Sequence, residues 1–350
     1  MVEFCFNNVN IRGICSVVPK KEILLTDDAD LYNGDQKRIK RVIESSGFYK
    51  RRVTEKNTTT SDLCFYAACN LIKNLKINTD SIDALVFISY TPDYLMPATA
   101  YVLHKKLNLS QNCIVMDIPQ ACSGYIIGLY QASMLINSGC KKVLLLVGDT
   151  FSKFTDMFLD HSAPVFGDAG SATLIEYKEN AEKSYFNINS DGNGFDSLIC
   201  QNGAFRNPIN KEDFYPTEEY KYEAKMNGGK IFEFTMNNIV PSIEELLRYA
   251  DISITNIDEF IFHQANKFIL ENLARKLNIP QEKISTETLT NYGNQCGASI
   301  PCTICNVYNE KASKTNLRYL LSGFGAGLSW ANAIVNLNNI YCSNLLEYGG

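Results

Sequence analysis

The chain has 350 residues, 45% hydrophobic and 20% charged, with a formal net charge of −5 and a pI near 5.4. That length and apolar content suit a globular protein able to bury a deep site, in two domains or one two-part core. The acidic balance argues against a nucleic-acid partner, since no dominant basic field is present to neutralise phosphates, and any basic docking surface must be local.

Met1-Val-Glu-Phe-Cys-Phe6 lacks the basic start and long apolar core of a signal peptide. No run reaches the ~18 apolar residues that span a bilayer, so a cytoplasmic location without a membrane partner is expected. The Thr60 to Lys73 segment predicts a helix capped by Thr60 or Ser61, with Phe65, Ala68, Cys69 and Ile72 at core-facing spacing. Leu85 to Ile88 and Val143 to Val147 are apolar throughout, as strands covered on both faces are. Cys113 to Met116 is a further apolar strand, suited to an interface or equally to a buried sheet. His104, before Lys105-Lys106, reads as a solvated or core-edge histidine.

The most informative segment is Asp117-Ile-Pro-Gln-Ala-Cys-Ser-Gly-Tyr125. It follows the apolar strand and precedes a long apolar run ending at Asn137-Ser-Gly139, an order that reads as strand, sharp turn, helix, with Cys122 in the first helical turn. Free backbone N–H groups and the positive helix end favour thiolate there, making Cys122 a candidate nucleophile. A helix end contributes at most about 2 kcal/mol, too little to ionise a thiol fully at neutral pH. A second activator is expected, and one of the three histidines, His104, His161 or His263, should lie beside Cys122.

Further along, Asp168 in Phe166-Gly-Asp-Ala-Gly170 reads as a residue fixing a turn through backbone hydrogen bonds, and His161 as a loop residue, lining of the entrance being the other reading. The polar stretch from Lys178 to Met226 predicts a short hairpin plus a mobile flap over the entrance. The twelve cysteines are scattered through apolar patterns and read as reduced core residues rather than a disulfide framework. Cys302-x-x-Cys305 has no second pair or nearby histidine, so no metal or cofactor is expected.

The chain also repeats itself. Leu71-Ile-Lys and Ile82-Asp-Ala-Leu-Val-Phe87 return 175 residues later as Leu246-Leu-Arg and Ile257-Asp-Glu-Phe-Ile-Phe262. Lys142-Val-Leu-Leu-Leu-Val-Gly148 is answered at the same offset by Leu317-Arg-Tyr-Leu-Leu-Ser-Gly323. Two α/β halves are expected, 1–177 and 178–350, each running helix, strand, helix, strand, helix, strand around a shared cleft. His263 directly follows the strand ending at Phe262. Asn294, between a strand and an apolar helix, takes the place in the second half that Cys122 takes in the first.

These residues carry a family likeness. The chain resembles the β-ketoacyl acyl-carrier-protein synthase III group of the thiolase superfamily over nearly its whole length. The landmarks are Ser46-Gly-Phe-Tyr-Lys-Arg51, Tyr90-Thr-Pro-Asp93, Ala121-Cys-Ser-Gly124, Phe166-Gly-Asp-Ala-Gly170, Met226-x-Gly-x-x-Ile-Phe232, His263-Gln-Ala-Asn266, Tyr292-Gly-Asn294, Ala298-Ser-Ile-Pro301 and Phe324-Gly-Ala-Gly-Leu-Ser-Trp330. The resemblance implies two duplicated α/β halves in a five-layered αβαβα arrangement, and a homodimer. It makes Cys122 the nucleophile that accepts an acyl group from a thioester, with His263 and Asn294 meeting the enolate formed when a malonyl extender loses carbon dioxide. It puts a backbone oxyanion hole at Cys122 and Ala326.

An acidic acyl carrier protein, an acyl-coenzyme A, or both are the implied partners. Asn266, Lys267, Arg275 and Lys276 are candidate carrier or substrate contacts, and Met96 falls where the family reaches into the partner subunit's acyl tunnel, core filling being the other reading. Departures are visible too. Arg41 and Ser45 stand at the adenine-clamp positions, Asp160-His161 where a further arginine is expected, Ala326 at a middle glycine, and Phe268 at a docking arginine. They leave transfer from Cys122 to a hydroxyl or amine acceptor as the alternative.

Other cysteine chemistries fit worse. Gln120-Ala-Cys-Ser-Gly124 matches the caspase signature, but the only upstream histidine is His104 and the duplication has no place in that fold. Hydroxymethylglutaryl-coenzyme A synthases add a glutamate base, and no glutamate lies between Ala84 and Ile175. A non-catalytic scaffold would have no use for all three polar groups.

Overall fold

The structure, a computed structural model, describes residues 2–32, 34–153, 165–208 and 224–349. Two sheets dominate. The seven-stranded sheet runs β15 (Tyr341–Cys342), β2 (Val9–Pro19), β8 (Ala169–Tyr177), β7 (Lys142–Asp149), β5 (Ala84–Ile88), β6 (Ile114–Ile118), with β16 (Leu346–Tyr348) also on β2. The five-stranded sheet runs β1 (Glu3–Phe6), β9 (Ser184–Ser190), β14 (Ser329–Asn338), β13 (Asn316–Gly325), β12 (Glu259–Phe262). Two ribbons complete the strands, β3 (Glu22–Leu24) with β4 (Lys50–Arg52) and β10 (Leu198–Cys200) with β11 (Ala224–Met226).

The repeat in sequence is a repeat in topology. β2-β8-β7-β5 pair antiparallel, antiparallel, parallel, and β9-β14-β13-β12 pair in the same series. The chain ends cross over: β1 joins the second sheet, while β15 and β16 join the first.

The helices are α1 (Gln36–Ser46), α2 (Thr60–Leu75), α3 (Thr99–Lys106), α4 (Gly124–Asn137), α5 (Gly228–Phe234), α6 (Val240–Ala250), α7 (Lys267–Lys276), α8 (Glu287–Tyr292), α9 (Ser299–Val307) and α10 (Asn309–Lys314). Alternation along the strands sorts them into layers. Val86 and Ile88 face one way, with Tyr125 and Leu129 of α4, Ile300 and Ile304 of α9, and Leu321 and Ala333 of the second sheet. Leu85 and Phe87 face the other way, onto α2 and α3. On the far side of the second sheet, Phe260, Phe262 and Leu320 meet α6 and α7. The result is five layers, αβαβα, with α4 and α9 in the middle.

Close packing of the layers uses glycine. A Cβ on Gly128 would sit 2.6 Å from Leu145 Cδ1 and 2.7 Å from Ile88 Cδ1, and one on Gly170 would sit 2.6 Å from the backbone nitrogen of Cys64. Helix α4 is thus pressed onto β5 and β7, and α2 onto β8.

Three expectations need correction. The cap of α2 is Thr59, in a capping box with Asp62, and its fully buried stripe is Cys64, Ala67, Ala68 and Leu71, with Phe65, Cys69 and Ile72 only partly covered. The second half lacks its middle strand: after α7 the chain forms α8, because Ser285 to Tyr292 holds too few apolar residues to build a core strand. Asn294 therefore follows a helix rather than a strand. Between 178 and 226, Ser184–Ser190 is a full member of the second sheet, paired on both sides, and the hairpin is β10 with β11. The rest of the predicted flap, 209–223, lies outside the described residues, as does His161. Of the two readings of Cys113 to Met116, the structure removes the buried sheet: Cys113 is buried, but the strand after it, β6, is a half-exposed sheet edge.

Gly170→Ala should destabilise the protein by about 1–3 kcal/mol, since the new methyl meets backbone that cannot swing away. Urea unfolding followed by circular dichroism measures this, and an unchanged midpoint would contradict the contact.

Candidate active site

The reactive end of the molecule lies where parallel strands of both sheets stop, as in other α/β proteins. After β6 ends at Ile118 the chain turns through Pro119 to Ser123, and α4 begins at Gly124. Cys122 is half-buried in this turn, just before the helix rather than within it. The Gly124 N–H closes the turn on the Ala121 carbonyl at 2.7 Å. Beneath it runs the end of β13: a Cβ on Gly325 would lie 2.7 Å from the Cys122 Sγ, and one on Gly323 the same distance from the Cys122 carbonyl oxygen. No other side chain would leave the sulfur its place.

A hydroxyl pair ties the two backbone segments together. Ser329 Oγ donates to the Ala326 carbonyl at 2.9 Å and accepts from Ser123 Oγ at 2.7 Å. The Cys122 turn and the Gly325-Ala326-Gly327 loop, which carry the two expected oxyanion N–H donors, are therefore fixed relative to each other. Positive φ falls on Gly327 at 140° and not on Ala326, so alanine fits here without strain.

His263 follows β12, its N–H donating to the Ser322 carbonyl at 2.8 Å. The side chain is 2% exposed. Its Nδ1 meets Ser299 Oγ at 2.8 Å, and the ring packs edge-on against Phe324. With Nδ1 occupied, Nε2 is the nitrogen that faces Cys122. His104 instead holds the Ser110 carbonyl at 2.9 Å, far from any reactive group.

Asn294 is held by its backbone, donating to Val165 at 2.7 Å and accepting from Gly167 at 3.0 Å. Its Oδ1 accepts the Cys296 N–H at 2.9 Å. The oxygen being committed, the amide presents its Nδ2 donor outward from that turn.

The electrostatics favour thiolate. Cys122 is held well below the usual thiol range by a hydrogen bond from the Cys296 thiol, against the opposing cost of burial, and further by the charge and hydrogen bond of His263. Burial, together with the charge and hydrogen bond of Cys122, pushes the Cys296 thiol up, so Cys296 keeps its proton and donates. Asp149, at the end of β7, is pushed up to about 8 chiefly by burial; bonds from the Tyr90 N–H and Ser89 Oγ pull it down and the Cys122 charge adds to the rise. At neutral pH the thiolate therefore faces a mostly neutral acid rather than a second anion. Asp168 accepts bonds from the N–H and Oγ of both Thr54 and Ser152, a structural knot as expected.

Sequence reasoning missed Cys296, Asp149, Ser299 and the Ser123–Ser329 pair. A cysteine two residues from a candidate catalytic asparagine was a legible signal. The others are brought in by tertiary packing alone.

The outer residues are dispersed. Asn266 Oδ1 caps α7 through the Ile269 N–H at 2.8 Å. Lys267 reaches Glu271 at 3.8 Å, Arg275 is exposed beside Asn272, and Lys276 Nζ is drawn onto the Met236 carbonyl at 3.2 Å. Phe268 is 53% exposed and packs on Phe232. Arg41 and Ser45 are exposed on α1. Met96 is 86% exposed, so it fills no core in this chain. Among the described residues no cluster of His, Cys, Asp and Glu is placed to hold a metal, and no helix is long and apolar enough to cross a membrane.

Two matching sheets that place a cysteine and a histidine side by side, with an asparagine amide two residues from the thiol that bonds the cysteine, define a thiolase-fold acyltransferase. The comparisons narrow this. The family model described as 3-oxoacyl-[acyl-carrier-protein (ACP)] synthase III matches residues 116–194, and its C-terminal counterpart matches 247–337. A putative 3-oxoacyl-[acyl-carrier-protein] synthase 3 of Campylobacter jejuni is 36% identical over 98% of both chains. A β-ketoacyl-[acyl-carrier-protein] synthase III of Clostridium perfringens is 34% identical over 87% of this chain and 94% of its own. A solved 3-oxoacyl-(acyl-carrier protein) synthase of Burkholderia xenovorans superimposes with a TM-score of 0.91 at 34% identity, covering 99% of each chain. The chain belongs to the 3-oxoacyl-[acyl-carrier-protein] synthase III family.

Two outcomes follow from the geometry. Gly325→Ala should slow acylation of Cys122 by roughly 10²-fold, because the methyl displaces the sulfur from its line of attack. His263→Ala should move the pH midpoint of Cys122 alkylation by iodoacetamide upward, since a positive neighbour that favours thiolate is removed; a midpoint that stays put would mean that the Cys296 bond alone sets it.

Proposed function

We propose that the protein takes an acyl group from a thioester onto Cys122 and condenses it with a malonyl extender on an acyl carrier protein, by decarboxylative Claisen condensation. The observation that supports this reading is that His263 and Cys296 both act on Cys122, Cys296 being held in turn by Asn294 Oδ1. Attack by the thiolate expels the carrier thiol, the tetrahedral oxygen being met by the Cys122 and Ala326 N–H groups. In the second half-reaction His263 Nε2–H and Asn294 Nδ2 are the donors for the enolate oxygen. The enolate carbon then attacks the acyl-Cys122 carbonyl and returns the thiolate. Fixed donors in a water-poor site act strongly because they need no reorganisation.

The division at 177/178 is retained as part of the proposal, with each half contributing one share of these groups. An acidic carrier is the proposed partner: α1 packs on α7, with Gly47 at its end against Lys267, and Lys37, Lys40 and Arg41 lie exposed along α1. The fields of the two helices add locally despite the acidic whole. A homodimer is the proposed assembly, supported by the open edge of β6, where Ile114 is 47% exposed, and by the adjacent apolar loop with Leu95 at 81%. Met96 in that loop is proposed to enter the partner's acyl tunnel. A cytoplasmic setting completes the reading.

Separate loading and turnover assays test the chemistry. Cys122→Ala should abolish acyl-enzyme formation, while His263→Ala should spare loading more than malonyl-dependent release of carbon dioxide; equal loss of both would make His263 chiefly an activator of the thiol. Acyl transfer without carbon dioxide release would favour a hydroxyl or amine acceptor. Arg41→Glu with Lys267→Glu should raise KM for carrier-bound substrate about tenfold more than for a coenzyme A thioester. Ile114→Lys should shift sedimentation from dimer toward monomer, and a wild-type monomer at micromolar concentration would refute the assembly.

A further inference from the structure

The chemistry proposed above uses one thiol, yet Cys122 has a second beside it. Cys296 is 1% exposed and packs with Ala121, Phe166 and Cys122. Its position is enforced. It sits in a left-handed turn at φ 48°, its N–H held by Asn294 Oδ1 at 2.9 Å. The next residue, Gly297, donates to Asp149 Oδ2 at 3.4 Å, and a Cβ there would come within 2.9 Å of the Ala121 carbonyl. Left-handed geometry is unfavourable for a residue with a Cβ and persists where the surroundings dictate it. A hydroxyl would donate to the Cys122 thiolate as well as a thiol does, so that supporting role does not itself require sulfur here.

We propose that Cys296 is a resolving thiol, which closes a disulfide with Cys122 after a hydroperoxide has oxidised the nucleophile, and so switches the site off reversibly. The Cys122 thiolate attacks one peroxide oxygen, the O–O bond breaks, and the other oxygen leaves with a proton as water or an alcohol; Cys122 becomes a sulfenic acid. The Cys296 sulfur then attacks the Cys122 sulfur, the S–O bond breaks, and the hydroxide leaves with the Cys296 proton as water. Oxidation of Cys122 removes the negative charge and the hydrogen bond that help hold the Cys296 proton, while burial, the larger influence, remains. The disulfide also shields Cys122 from irreversible sulfinic and sulfonic acids. A second sulfur pair, Cys305 and Cys342 at 3.9 Å, is an internal comparison: it lies between α9 and β15, with no histidine beside it.

The test treats the full-length protein with hydrogen peroxide, blocks free thiols, and reads intact mass, peptide crosslinks and acyl loading. The wild type should lose about 2 Da, carry a Cys122–Cys296 crosslink, and regain its loading roughly tenfold or more with dithiothreitol. Cys296→Ser should instead gain about 32 or 48 Da on Cys122 and stay inactive after reduction. The proposal is overturned if wild-type Cys122 overoxidises as fast as in the variant, or if the crosslink maps to Cys305–Cys342 alone. The wild-type crosslink is decisive even if the variant folds poorly.

Discussion

The site depends on one close approach, the Cys122 turn resting on the bare backbone of β13 at Gly323 and Gly325. Because the strand offers no side chain there, Cys122 from the end of the first sheet touches the second sheet directly. Other features follow from that contact. Helix α4 must run close over β5 and β7, which Gly124 and Gly128 permit, and the loop after Gly325 is brought within reach of Ser123 through Ser329. A packed interior transmits small displacements rather than absorbing them, so distant glycines govern where the sulfur sits.

A negative sulfur in such a place has to be supported by its surroundings, since isolated charge is strongly disfavoured in a protein interior. Support comes from several sides: the thiol of Cys296, the imidazole of His263 and the N–H of Cys122 itself. Ser299 fixes His263 through Nδ1, and Ser299 opens the helix that follows Asn294 and Cys296. The asparagine, the second thiol and the serine that orients the imidazole thus lie within six residues, so a shift of that turn would disturb all of them together. Asp149 avoids spoiling the balance by remaining mostly protonated at neutral pH, a direct effect of its burial.

Much of this was legible before any coordinates. The 175-residue repeat foretold two matching sheets, the apolar runs marked the strands covered on both faces, and Cys122 and His263 were found as strand-end residues. The errors have local causes. Helix α2 starts one residue early because Thr59 and Asp62 cap each other, and its buried face turns accordingly. The missing strand before Asn294 broke the symmetry that the repeat suggested, because Leu289 and Tyr292 cannot alternate among so many hydroxyl and amide groups. Asp149 is hidden for a different reason: its significance arises from neighbours remote in sequence, and no spacing rule contains that information. Lys276 likewise reads as a free surface cation until its contact with the Met236 carbonyl is seen.

The exchanged chain ends have a consequence for biosynthesis. Strand β2 keeps a bare edge until residues 341–348 have been made, and β1 has nothing to pair with until Ser184–Ser190 appears. A polypeptide emerging from the ribosome therefore carries an incomplete first sheet until residue 348 has been made, a long-range closure that is slow and leaves sticky edges in the interim. Nascent chains stalled short of residue 341 would be natural clients for chaperones.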